Sequence, residues 1–227
     1  MRTIRKLGET LIPVPSVFKT YFHKDLPEDI PFDYTDQIYA GFDSCGVPII
    51  IPKDYNSYDY RETLLPIVGY TLVTKNVCKA LASFIKDKKV LEIMAGTGCL
   101  TYGLRSFGVN IHATDDYSEE LLTNFWIKDL EQLDCIESVR KYGSQIDYLL
   151  ISWCAQKAPI LTVIQLLKHI NPKAQIIYIG ETKGGCTGND ALWDMVTPIR
   201  YNNFYEAVLC YRSWYGLHDR PFLLRIN

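Results

Sequence analysis

The chain has 227 residues, 48% of them hydrophobic, with 24 basic and 26 acidic side chains and a net charge of −2. That length and apolar share suit one α/β domain with a sizeable core rather than two domains, and the balanced charge disfavours nucleic acid as a partner. Seven cysteines, an odd number with no Cys-x-x-Cys pair and no nearby histidine pair, exclude a disulfide framework and a zinc site and read as reduced thiols.

Residues 1–9 lack an apolar core and the longest apolar runs are strand-sized, so neither a signal peptide nor a membrane span is expected and the chain reads as cytoplasmic. Residues 1–70 hold many prolines and tyrosines and seldom would such a segment build its own core. It is expected as an irregular extension that wraps the main domain or lids its site, with residues 46–52 as a candidate edge strand. The domain proper is expected over residues 71–227. Thr74, ahead of Val77, Ala80, Leu81 and Phe84, reads as the N-cap of its first helix.

Residues 89–101 carry an apolar β-type stretch into Gly96-Thr97-Gly98 and then into a helical pattern. Glycines at such a turn let the backbone approach a ligand without a Cβ in the way, and the following helix aims free N–H groups at it. Residues 110–114 form the next strand and end at Asp115 and Asp116, 17 and 18 residues after Gly98, where a carboxylate can chelate two ribose hydroxyls. A dinucleotide fold wants a third glycine where Thr101 stands, and Glu92 would repel a pyrophosphate but suit an ammonium group.

Ser118, then Glu119 and Glu120 before Leu121, Leu122, Phe125 and Trp126, predicts a capped helix. Residues 146–153 read as a buried central parallel strand, which puts Ser152, Trp153 and Cys154 at the ligand crevice. Residues 159–170 form a strongly apolar helix, and residues 175–180 another strand ending in Glu181 and a Gly-rich loop. Glu181 is a candidate substrate contact or catalytic group by that position. Residues 205–226 alternate β-formers about a turn at 215–221, which predicts a terminal antiparallel hairpin. His218 in that turn is a candidate base or a solvated surface residue.

Val90-Leu91-Glu92-Ile93-Met94-Ala95-Gly96-Thr97-Gly98 resembles motif I of class I S-adenosylmethionine-dependent methyltransferases. The resemblance implies a three-layer α/β sandwich whose mostly parallel, twisted seven-stranded sheet ends in an antiparallel strand. It implies that Glu92 lies near the methionine amino group, that Ala95, Gly96 and Gly98 pass beneath the cofactor, and that Asp115 or Asp116 holds the ribose. Asp134 falls where an acid receives the adenine amino group, and Tyr70, Ser152 and Trp153 fall beside the cofactor. Met94 departs from the family, which has a glycine there, and Ser152-Trp153-Cys154-Ala155 lacks the motif of amine-methylating members.

The function expected is methyl transfer from S-adenosylmethionine to a small-molecule or protein acceptor. The alternatives are a cofactor-binding regulator without transferase activity, which Met94 suggests, and a nicotinamide-dependent oxidoreductase, which Thr101 and Glu92 disfavour. Neither the acceptor nor the oligomeric state is legible, and no metal is expected.

Overall fold

The computed structural model describes residues 14–31, 37–42, 48–52, 57–214 and 216–227. The N-terminal start read above, Cys45, Gly46 and Tyr215 lie outside the described residues. Helix α1 (Ser16–Phe22) places Phe18 and Tyr21 on one buried face, and strands β1 (Gln37–Phe42) and β2 (Pro48–Pro52) pair antiparallel as a separate two-stranded sheet. Helix α2 (Ser57–Val68) follows. The N-terminal stretch, expected to be irregular, therefore holds two helices and a strand pair, the second helix running through Pro66.

The main sheet has seven strands: β3 (Lys89–Ile93), β4 (Asn110–Asp115), β5 (Glu131–Gln132), β6 (Tyr148–Ser152), β7 (Gln175–Gly180), β8 (Val196–Pro198) and β9 (Arg220–Ile226). Their order is β5-β4-β3-β6-β7-β9-β8. Pairing from β5 through β7 is parallel, and β9 lies antiparallel between β7 and β8. The last strand is antiparallel as expected, but the first arm expected for its hairpin is helical. Phe204 and Ala207, spaced by three, are the buried positions of a helix over Asn202–Cys210. That spacing is a helix period and not a strand alternation.

Parallel strands buried on both faces need helices on both sides. Helices α3 (Lys75–Ile85), α4 (Cys99–Ser106) and the Asn202–Cys210 helix share one apolar layer with α1 and α2. Helices α5 (Cys135–Tyr142), α6 (Ile160–Ile170) and α7 (Leu192–Met195) cover the other face, so Asn202–Cys210 is α8. In α6, Ile160, Val163, Ile164 and Leu167 are wholly buried at i, i+3, i+4 and i+7, each stabilising the fold by about 1.5–3 kcal/mol. Thr74 caps α3 as expected, its Oγ1 accepting from Val77 N at 3.2 Å. Residues 116–130, expected as a helix from Ser118, form an irregular loop. Thr123 and Asn124 donate their amides to Pro66 O at 3.3 Å instead of closing helical turns, and the Trp126 indole donates to Ile67 O at 2.7 Å. Tertiary anchors outweigh helix propensity there.

Among the described residues no helix is long and apolar enough to cross a membrane, no His, Cys, Asp and Glu cluster could hold a metal, and the cysteines are free.

Candidate functional site

In a parallel sheet the strand ends that point the same way make one crevice, and here those are the ends of β3, β4, β6 and β7. The chain leaves β3 through Met94, Gly96 and Gly98, with φ of +54°, +58° and +72°. Left-handed backbone suits the glycines, whereas at Met94 it costs about 1–2 kcal/mol. Two backbone bonds hold the turn, from Ala95 N to Thr114 O at 3.0 Å and from Gly98 N to Ala95 O at 2.9 Å. The Met94 side chain packs against the apolar layer that contains Leu91 and Ile93.

Asp115 ends β4 and joins two turns: Oδ2 accepts from Gly96 N at 2.7 Å and Oδ1 from Tyr117 N at 2.8 Å. Burial pushes its carboxyl up against the pull of those two amides. Asp116 is exposed and accepts from Ser118 N at 2.9 Å, so of the two it is Asp115 that faces the glycine turn. Glu92 is 1% exposed and accepts from the Thr101 hydroxyl. Burial, helped by Asp115 and resisted by Thr101, pushes its carboxyl up to about 7. Thr97 Oγ1 is buried and has no hydrogen-bond partner among the described residues.

The irregular loop after β4 lies over this turn. A Cβ on Gly96 would meet Leu122 Cδ1 at 3.0 Å, and one on Gly98 would meet Ile127 Cγ1 at 2.7 Å. Ala95 packs beside Ala113, Ile127 and Leu130, and Trp126 N donates to Thr97 O at 2.8 Å. On the opposite side the rings of Tyr70 and Trp153 stack with centroids 5.5 Å apart, and the Arg61 guanidinium lies 5.7 and 5.6 Å from them. The Tyr70 hydroxyl donates to Glu119 Oε2 at 3.1 Å, and the Thr71 and Ser152 hydroxyls share a hydrogen bond.

Trp153 leaves β6 at a φ of +51°, uncommon for a bulky residue and a mark of a constrained position. Its amide donates to Ile179 O and its indole to Asp219 Oδ2, both at 2.8 Å. Asp219 is buried and also accepts from the Tyr211 and Ser213 hydroxyls. Sequence reasoning missed this network. Its one available signal was a strand-end indole whose N–H needs an acceptor when covered.

Glu181 is buried at the end of β7, with Oε2 accepting from Cys186 N at 2.6 Å and Oε1 from His218 N at 2.7 Å. Burial pushes its carboxyl up, but the two amides outweigh burial and hold it below the usual range. A carboxylate so engaged braces two loops. The residue His218 is exposed, and its contact with Glu181 is through the main chain. Asp134 is exposed and caps α5, its Oδ1 accepting from Ile136 N at 2.8 Å and Glu137 N at 3.0 Å. The structure thus joins Asp115 to Gly96 and Tyr70 to Trp153, and leaves Asp116 and Asp134 on the surface.

No protein-family model matches the chain, and no curated protein matches it. Among solved structures it is similar to the mitomycin 7-O-methyltransferase MmcR, at 11% identity and a TM-score of 0.46 over 75% of this chain and 58% of that one. It is also similar to the ribosomal protein L11 methylase from Lactobacillus delbrueckii subsp. bulgaricus, at 14% identity and a TM-score of 0.39 over 67% of this chain and 77% of that one. A SAM-dependent methyltransferase from Agrobacterium tumefaciens is 11% identical with a TM-score of 0.41, over 67% of this chain and 60% of that one. The chain therefore spans less than two thirds of the first and third of these proteins.

Proposed function

We propose that the strand-end crevice binds S-adenosylmethionine and that the chain is a methyltransferase acting on a small-molecule or protein acceptor. The observation that carries this reading is Asp115 at the end of β4, holding the amide of Gly96 in a left-handed glycine turn that opens α4.

The residues fit the cofactor in kind. An ionised carboxylate has about four acceptor positions, and the two amides on Asp115 leave room for ribose hydroxyls. The orphaned Thr97 hydroxyl supplies a further donor and acceptor in the same turn. Glu92, buried without a basic partner in its hydrogen bonds, favours a cationic ligand over a pyrophosphate through its charge. Once bound, the sulfonium supplies an already activated methyl group. The protein's part is to hold the acceptor in line and exclude water, for which Tyr70, Trp153 and Arg61 form the wall nearest Ser152. Glu181 and His218 are not required as bases in this reading, since Glu181 is engaged by amides on both oxygens.

Calorimetric titration with S-adenosylhomocysteine tests the reading, with one site per chain expected and no binding of nicotinamide cofactors. Asp115→Asn should weaken that binding by about 1.5–3 kcal/mol, the value of a hydrogen bond to a charged group. Absence of binding overturns the proposal. A specific observation favours a second reading, a cofactor-binding regulator: Leu122 rests on Gly96 and Met94 occupies left-handed backbone. Transfer of labelled methyl groups into lysate fractions separates the two, because a regulator binds without transferring.

A further inference from the structure

A line of hydroxyls runs inward from the strand-end crevice to a buried acid. Ser152 ends β6 half-buried at the crevice, and its hydroxyl shares a hydrogen bond with that of buried Thr71. The Thr71 hydroxyl in turn bonds the phenol oxygen of Tyr211, which directly follows α8. The Tyr211 hydroxyl donates to Asp219 Oδ2, buried just before β9. Four separate parts of the chain supply this line.

Each proton in the line is placed by its neighbours. Three donors converge on Asp219, the Trp153 indole and the Tyr211 hydroxyl on Oδ2 and the Ser213 hydroxyl on Oδ1, a set that suits the ionised carboxylate, which only accepts. Tyr211 spends its one proton there. Thr71 therefore donates to the Tyr211 oxygen, where it favours the phenolate, and Ser152 donates to Thr71. The Ser152 oxygen has no donor of its own among the described residues, so the line ends at the crevice in an acceptor that suits an incoming O–H. Burial pushes the Asp219 carboxyl up against the pull of its three donors, which makes it readier to take a proton than an exposed aspartate. A brace for Trp153 alone needs Asp219, but neither Thr71 nor Ser152.

We infer that the methyl acceptor carries a hydroxyl that donates to Ser152 Oγ, and that this line takes the hydroxyl proton to Asp219 as the methyl arrives. The inference rests on the methyltransferase reading above. In the step the sulfonium S–CH3 bond breaks and an O–CH3 bond forms, leaving a thioether and an ether. The acceptor's proton passes to Ser152 as the serine proton moves to Thr71, the threonine proton to Tyr211 and the tyrosine proton to Asp219. The positive charge of the sulfonium and the negative charge of the carboxylate vanish together, and every hydrogen bond in the line reverses. The proton returns by the same path to water once the product has left.

The test uses the full chain, S-adenosylmethionine labelled in its methyl group, and lysate fractions as the acceptor pool. Thr71→Val cuts the line while leaving every bond to Asp219 in place, and Tyr211→Phe cuts it beside the acid. Both variants should bind S-adenosylhomocysteine within about twofold of the parent, transfer label at least about tenfold more slowly at pH 7, and recover as pH rises and hydroxide takes the proton. The label should survive mild alkali, unlike a methyl ester, and leave as methyl iodide in hydriodic acid, as from an ether. Binding without turnover gives an independent reading, with phenol as the probe because the wall beside Ser152 is aromatic. In the S-adenosylhomocysteine complex, phenol should perturb tryptophan emission at a concentration about threefold to tenfold lower than its methyl ether, the worth of one neutral hydrogen bond, and Ser152→Ala should erase that difference. No binding of S-adenosylhomocysteine, or no transfer by the parent, removes the methyltransferase reading and this one with it. Transfer with the parent's rate and pH profile in both variants, an alkali-labile label, or no preference for phenol overturns the relay alone.

Discussion

Glu92 sets the pH behaviour of the crevice. Its carboxyl stands at about 7 in the folded chain against an ordinary value of 4.5, because burial penalises the charge more than the Thr101 hydroxyl relieves it. Between those two values the folded state binds more protons than the unfolded state, so stability falls as pH rises from about 4.5 to about 7 and levels off above. The whole interval is worth on the order of 3 kcal/mol. Asp115 and Asp219 are shifted the same way by burial. Glu92→Gln keeps an acceptor for Thr101 and removes the titration. Urea midpoints taken from pH 5 to 8 should therefore decline less steeply in the variant, and parallel profiles would clear Glu92 of the effect. At this scale the motif residues were readable, since a Glu, two glycines and a strand-end Asp have fixed chemical uses. The network at Asp219 was not, because its partners Trp153, Tyr211 and Ser213 meet only when β6 and β9 take their places on either side of β7.

The loop of residues 116–130 is the element where local pattern and final structure part company. Ser118, Glu119 and Glu120 are a sound helix start, yet the segment is bound at Pro66 and Ile67, both in α2 and more than fifty positions away. No periodicity within the loop carries that information. Its consequence is Leu122 resting on Gly96, a contact that a ligand in the turn would have to displace. Leu122→Ala should tighten binding of S-adenosylhomocysteine and leave the melting temperature within a few degrees, because the side chain is half-buried and its apolar contact is small. Weaker binding in that variant would show the leucine to be part of the cofactor wall instead of a cover. Strands β3, β4, β6 and β7 and their parallel direction were legible because each is a short apolar run followed by a helical pattern or a polar loop, whereas β5, Glu131-Gln132, carries no apolar signal. The Asn202–Cys210 helix was misread because aromatic and β-branched residues there also suit a strand.

Across the whole molecule, the N-terminal helices and the sheet share one apolar layer: Phe18, Tyr21, Leu64 and Ile67 belong with Val77, Leu81 and Ile177. Phe18 is completely buried and lies 5.8 and 5.5 Å from the ring centroids of Tyr60 and Trp214. If that layer unfolds as one unit, Phe18→Ala lowers stability by about 3–5 kcal/mol in a single urea transition with unchanged slope. A second transition would mean that residues before 70 come away by themselves. Prolines and tyrosines near the start suggested a covering segment, but nothing local predicted that α1 would reach the base of the Trp126 and Trp214 packing.

Trp153 gives the molecule a built-in optical signal. Its indole is stacked on Tyr70, lies near a guanidinium and donates to a buried aspartate, three neighbours that all alter how an excited indole emits. Against the background glow of Trp126, Trp193 and Trp214, a change in its emission on adding a ligand would register an arrival at the strand-end crevice without any label being attached.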